Sequence, residues 1–244
     1  MLSNSEFKKY FINRYADLIN TVFQPSSINS VVQEMQDSIT YELPFAWQRW
    51  FGYNGVSTWL NNINTMKAFI YSRPALARQH INTTFSLKGT VTVNLVASPQ
   101  GSGEIKINTI VPGPLPWSGM YFNGNPITIT AIAKPGYRFL YWKANTYTAQ
   151  STDRSLTVNP DHLDTFTAVF EGNPETATIT ISEVNYHSDS TQNSGDWLEV
   201  FNYGSNALDI SEWHITDSNP VHDYVFPTGT TIPANSRLVI AEDM

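Results

Sequence analysis

Met120-Tyr121-Phe122-Asn123-Gly124-Asn125-Pro126-Ile127-Thr128-Ile129-Thr130-Ala131 is the stretch on which the reading of the fold turns. Short runs of apolar and β-branched residues stand on both sides of Asn-Gly, and alternation with period two turns one face of a strand toward a core. Asn-Gly accepts the positive φ angles of a tight turn, so the pattern predicts a β-hairpin closed at 123–125. Working outward, Val91, Val93 and Leu95 alternate with polar neighbours, as do Ile105, Ile107 and Thr109. Pro135-Gly136 marks another turn before Tyr137-Arg138-Phe139-Leu140-Tyr141-Trp142. Leu156-Thr157-Val158 and Thr165-Phe166-Thr167-Ala168-Val169-Phe170 complete about seven short strands, which argues a small β-sandwich over residues 85–172.

Gly172-Asn173-Pro174-Glu175 reads as a linker. Beyond it come Thr178-Ile179-Thr180-Ile181, Trp197-Leu198-Glu199-Val200-Phe201, Leu208-Asp209-Ile210, Trp213-His214-Ile215, Thr230-Thr231-Ile232 and Leu238-Val239-Ile240, short strands again. Residues 173–244 number 72, whereas an immunoglobulin-type sandwich takes roughly 100. The expectation is a second sandwich over 176–244 that is incomplete. Its open sheet edge suits pairing with a second copy of the chain, a homo-oligomer.

Upstream the period changes to that of a helix. Phe7, Phe11, Tyr15, Leu18 and Val22 form one stripe, with Pro25 expected to end that helix. Ile28, Val31, Val32, Met35 and Ile39 form a second, running to Leu43-Pro44. Val56, Trp59, Ile63, Met66 and Ile70 form a third, interrupted at Arg73-Pro74 and resuming through Ala77 to Ile81. Three helices are expected in residues 1–84, with apolar surface left over at Phe45, Trp47, Trp50, Phe51 and Trp59. The fold class is α+β and multi-domain: a short N-terminal helical segment, then two mainly antiparallel β-sandwich modules.

With 41% hydrophobic and 13% aromatic residues the chain is not wholly disordered. No apolar run approaches the roughly 20 residues of a membrane span, and residues 1–9 hold no apolar core of a signal peptide. The absence of cysteine removes disulfides, thiolate nucleophiles and cysteine zinc sites. The net charge of −7 is uneven: +2 over 1–86, +1 over 87–172 and −10 over 173–244. The acidic last third repels phosphate backbones, so nucleic acid is not expected as a partner, whereas cations are tolerated.

Three stretches resemble known families. Phe11-Ile12-Asn13-Arg14-Tyr15-Ala16-Asp17-Leu18-Ile19-Asn20-Thr21-Val22-Phe23, with Arg49-Trp50, Trp59 and Ala68-Phe69-Ile70-Tyr71-Ser72-Arg73-Pro74, is similar to the C-terminal helical end of the spore-coat CotH kinase family. That family's nucleotide and metal motifs have no counterpart in residues 1–86, so the resemblance implies a kinase-like remnant without its chemistry. Ile129-Thr130-Ala131, Pro135-Gly136-Tyr137-Arg138-Phe139-Leu140-Tyr141-Trp142 and Phe166-Thr167-Ala168-Val169-Phe170 resemble the bacterial internalin-type B-repeat, an extracellular spacer. Ile181-Ser182-Glu183-Val184-Asn185-Tyr186, Gly195-Asp196-Trp197-Leu198-Glu199-Val200-Phe201-Asn202 and Leu208-Asp209-Ile210-Ser211-Glu212-Trp213-His214-Ile215-Thr216-Asp217 resemble a lamin-tail domain, an immunoglobulin-like sandwich. Together they imply structural or adhesion modules of a secreted or cell-surface bacterial protein. The partners so implied are other domains of a longer protein, and a glycan or surface protein.

Chemistry is sparse. The five histidines share no metal-ligand spacing, and no phosphate loop or nucleophile elbow is present, so no catalytic residue is assigned. Trp117, Tyr121 and Trp142, aromatics near turns, are the candidate ligand-binding platform for a sugar; the alternative puts Trp142 in the core and Trp117 over a sheet edge. His187 and Asp189 share one loop with Asp196 beyond it, and His222 and Asp223 share another, which makes them the candidate metal ligands, with calcium the cofactor in question. Glu183 and Glu199 read as part of the fold, hydrogen-bonded to backbone or to Asn185 and Asn202.

Overall fold

The computed structural model describes residues 4–52, 55–144, 150–174, 176–186, 195–217 and 222–241. Asn4 opens helix α1 (Ser5–Asn20), its side-chain oxygen accepting from the Phe7 N–H at 2.9 Å. Pro25 starts the next helix rather than ending the first. It stands in the first turn of α2 (Pro25–Thr40), where a missing N–H costs nothing. Pro44 does the same for α3 (Leu43–Phe51), which Gly52 closes at φ 70°. Helix α4 (Val56–Phe85) runs unbroken through Pro74, so the interruption expected there is absent and the helices among the described residues number four.

The buried face of α1 is not the stripe that periodicity singles out. Ile12, Ala16 and Ile19 face inward with Asn13, Asp17 and Asn20 beside them. Phe11 and Val22 are exposed, and the Phe7, Phe11 and Tyr15 rings stack along the flank of the helix instead. Neither α2 nor α3 buries a residue, and Tyr41, Phe45, Trp50 and Phe51 stand largely exposed. Among the described residues no helix is long and apolar enough to cross a membrane.

The first sandwich has two layers. Strands β1 (Thr90–Ser98), β3 (Trp117–Phe122), β5 (Tyr137–Ala144) and β7 (Asp164–Gly172) form a sheet in the order β3-β1-β7-β5. Strands β2 (Gly103–Ile107), β4 (Ile127–Ala133) and β6 (Ser155–Val158) form the other, in the order β2-β4-β6. Leu95, Ile107, Ile129, Phe166 and Trp142 fill the space between, and Ile12 and Ala16 of α1 with Ile81 of α4 extend that core.

β3 and β4 do not make the hairpin expected of them. The tight turn is present, with Asn125 N–H donating to Phe122 O at 3.2 Å and Gly124 at φ +90°. The strands leaving it enter different sheets, β3 against β1 and β4 against β2 and β6. Pro126 has no N–H to start a ladder, and the Asn123 backbone pairs with Lys88 and Gly89 ahead of β1. Turn chemistry dictates the reversal but not which neighbour each strand takes.

The last third forms a smaller sandwich. β8 (Ile179–Asn185), β9 (Trp197–Asn202) and β14 (Ser236–Ala241) pair antiparallel in the order β14-β9-β8. β10 (Leu208–Asp209) pairs with β13 (Thr231–Ile232), and β11 (His214–Thr216) with β12 (Asp223–Val225). Val200, Leu208, Ile210, Phe226 and Ile232 form its core. Edge strand β8 leaves Ile181 and Val184 more than half exposed.

Candidate functional site

Helix α1 meets the first sandwich through buried polar side chains at i, i+4 and i+7: Asn13, Asp17 and Asn20. Asn20 answers both backbone groups of Met120, accepting from its N–H at 3.0 Å and donating to its carbonyl at 2.8 Å. It thereby acts as an extra strand residue on the open edge of β3. The Asn20 side-chain oxygen also accepts from Arg78 Nη2 at 2.9 Å. Asn13 donates to the Pro126 carbonyl at 2.8 Å and accepts from Asn125 Nδ2 at 2.7 Å, which clips the turn between the two sheets to the helix.

Asp17 stands at the centre with no exposed surface. Its Oδ2 accepts from the Thr109 N–H at 3.0 Å and the Thr109 hydroxyl at 2.7 Å; its Oδ1 accepts from the Tyr121 hydroxyl at 2.9 Å and Asn108 Nδ2 at 3.2 Å. Burial raises the carboxyl above its ordinary range, and the bonds from Thr109, Tyr121 and Asn108 pull it back down. Burial, with the Asp17 charge beside it, pushes the Tyr121 hydroxyl well up, which keeps it a donor. Four donors, all from the sandwich module, converge on this buried carboxylate. The arrangement orients one element against another.

A second joint lies at the other end of the sandwich. The Arg154 carbonyl accepts from the Ala131 N–H at 3.1 Å and from Trp142 Nε1 at 3.2 Å, which anchors that residue in the first sandwich. Its guanidinium crosses to the second, donating to the Glu212 carbonyl at 3.4 Å and to His214 Nε2. Since arginine has only donors, His214 accepts on Nε2 and donates from Nδ1 to Asp223 Oδ1 at 2.5 Å. Desolvation lowers the Arg154 pKa, and the Glu212 and Asp223 charges raise it. A crevice of about 610 Å³ opens alongside, between Tyr137 and Arg138 on one module and Glu212 and Trp213 on the other.

These joints fall where the chain passes from one kind of module to the next. The chain matches three family models in tandem. Residues 1–76 match CotH kinase protein, 93–174 the Divergent InlB B-repeat domain, and 173–244 the Lamin Tail Domain. No curated protein and no solved structure matches the chain. The protein is multi-domain, with four CotH-like helices ahead of the strands and an immunoglobulin-like lamin-tail sandwich at the end. The CotH match is confined to a fragment. Asn13, Asp17 and Asn20 tie the CotH segment to the B-repeat-like module, and Arg154 ties that module to the lamin-tail domain.

Within the B-repeat-like module, Tyr121 and Trp142 are fully buried in the core, so neither offers a ring face to a sugar. Tyr121 is taken by Asp17 and Trp142 by the Arg154 carbonyl. Trp117 is half-buried, edge-on to Tyr121 with ring centres 6.4 Å apart. His187 and Asp189 lie outside the described residues; Asp196 is described and exposed. In the lamin-tail domain, His222 pairs with Asp217 at 2.8 Å and Asp223 with His214, so the second of the paired loops is engaged internally. Among the described residues no three histidine or acidic side chains gather as metal ligands.

Glu183 faces Glu199 across the β8–β9 ladder. The partners of Glu199 are Ser182 Oγ at 2.6 Å and Arg237 Nε at 3.0 Å, not the asparagines expected. Asn202 instead ties the lamin-tail domain together. Its Nδ2 donates to the Asn206, Ile232 and Pro233 carbonyls at 2.8–3.1 Å, and its Oδ1 accepts from Thr178 Oγ1 and the Gly204 N–H. The asparagine and aspartate spacing on α1 was the available signal for the first joint; for Asn202 the sequence holds none, since its partners lie up to 31 residues away.

Proposed function

We propose that the chain supplies non-catalytic, structural modules of a secreted or cell-surface bacterial protein, in which a CotH-like helical segment and a spacer hold a lamin-tail domain out for adhesion. The observation that carries this reading is Asp17. It is the most buried charged group of the first joint, and each of its hydrogen bonds serves to fix a helix on a sandwich. Its lone pairs are taken by Thr109, Tyr121 and Asn108 of the same chain. The resemblance of the B-repeat-like segment to extracellular spacers, and the acidic character of the last third, agree with a surface role.

Two measurements on the full chain test it. Thermal unfolding with magnesium and ATP is expected to match unfolding without them; a nucleotide-dependent rise in melting temperature moves the chain to the phosphotransferases. Beads coated with the chain are expected to be retained on bacterial cells or purified cell walls. Retention equal to that of uncoated beads removes adhesion from the reading.

A further inference from the structure

Among the described residues the B-repeat-like sandwich carries one parallel pairing, and it joins the first strand of the module to the last. β1 and β7 run side by side in the same direction, with Val93, Asn94, Leu95, Val96, Ala97 and Ser98 opposite Asp164, Thr165, Phe166, Thr167, Ala168 and Val169. At nine residues each they are the longest of the described strands. Asn94 Nδ2 adds a side-chain bond across the pair, to Thr165 Oγ1 at 3.3 Å. The other strand pairings of this module are antiparallel.

This direction matters when the chain is stretched. The chain enters the module at the start of β1 and leaves at the end of β7, and in a parallel pair those two points lie at opposite ends of the ladder. Tension between them acts along the strands. Slipping β1 past β7 then loads every bond of the ladder together, over roughly 17 Å of strand. An antiparallel pair pulled from one end opens one bond at a time.

The surroundings keep the pair from being bypassed. β1 is an inner strand, held by β3 on its other side. The outer edge of β3 is itself fastened by Asn20, which engages both backbone groups of Met120. Leu95, Ala97, Phe166 and Ala168 put buried side chains from both strands into one core, so sliding them also shears packed apolar contacts.

We propose that the sandwich of residues 85–172 is a load-bearing shear clamp, built to carry tension along the chain between the helical segment and the lamin-tail domain. The role deepens the surface-spacer reading above and rests on it, since a tethered adhesion module is pulled.

The chain has no cysteine, so a pair of engineered ones sets the pulling axis in single-molecule force spectroscopy of the full chain. Lys88→Cys with Asn173→Cys pulls β1 and β7 in shear. Lys134→Cys with Asn173→Cys pulls at the end where Tyr137 faces Gly172 and peels β5 from β7. All three positions are exposed. The first pair is expected to unfold the module at a several-fold higher force than the second, with equal melting temperatures. Equal forces along both axes, or a higher force for the second pair, overturn the clamp. A chain that shows the anisotropy but adheres to nothing supports the clamp and loses only the surface reading. A chain that adheres but shows no anisotropy loses only the clamp.

Discussion

Tyr121 donates its hydroxyl proton to Asp17 at 2.9 Å, and neither side chain has exposed surface. One bond thus links β3 of the sandwich to α1 of the helical segment inside a shared core. Asp17→Ala leaves the Thr109, Tyr121 and Asn108 donors without an acceptor and is expected to cost about 3 kcal/mol, against about 1 kcal/mol for Tyr121→Phe. Urea unfolding followed by tryptophan fluorescence measures both; equal costs would show that the carboxylate does not organise the joint.

Asp17 also sets a pH dependence. Its carboxyl is raised above the ordinary value of 3.8 in the folded chain, with burial the largest cause. The folded state therefore binds this proton more readily than the unfolded one. The stability so gained is full below pH 3.8 and is lost as pH rises through the folded value. Relative to Asp17→Asn, the wild type should gain stability as pH is lowered from about 7 toward 4. Parallel urea titrations of the two proteins decide it, and a wild-type advantage that grows with pH reverses the sign.

Asn202 should be the costliest single polar truncation in the lamin-tail domain. Three carbonyls, a hydroxyl and a backbone N–H all depend on one amide. Asn202→Ala is expected to cost about 3 kcal/mol. Arg237→Ala, by contrast, should cost under about 1 kcal/mol, because the arginine end of its bond to Glu199 is more than half exposed and Glu199 keeps Ser182 as a partner. Hydrogen exchange of β9 amides in both variants would expose any reversal of that order.

Arg154→Ala should leave both sandwiches folded and free their relative orientation. The guanidinium is held in the first module only through its backbone and reaches the second by side chain alone. Small polar junctions of this kind permit domain motion by default. Residual dipolar couplings from the two modules should fit one alignment tensor in the wild type and two in the variant; a single tensor in both makes Arg154 dispensable.

The sequence reports the kinds of element well and their neighbours poorly. Period-two patterns around Val93, Ile105, Ile129 and Phe166 land on strands, a local effect of side-chain alternation, whereas the prolines at 25 and 44, expected to stop helices, stand in the first turns of new ones, where a missing N–H costs nothing. The hairpin at Asn123-Gly124 failed because strand partners are decided by the whole core. The α1 stripe failed for a different reason. A helix facing a sheet edge buries polar groups that answer that edge, so Asn13, Asp17 and Asn20 displace Phe11 and Val22 from the interface. The sequence leaves Trp142 open between core and sugar platform and reads Tyr121 as platform, since a ring with one polar atom reads alike in both settings; both rings are core.

The turn at Asn123-Gly124-Asn125, which sends neighbouring strands into opposite layers, bears on how the chain comes to fold. β3 finds its partner in β1 and β1 its second partner in β7, whose paired residues lie 71 positions further on. Few of the contacts that hold the module are local, and such topologies form slowly because long loops must close first. On the ribosome β1 would remain half-paired until residue 169 had emerged. During that interval the outer edge of β3 can already be fastened by Asn20 of α1, made earlier, while β1 waits for β7.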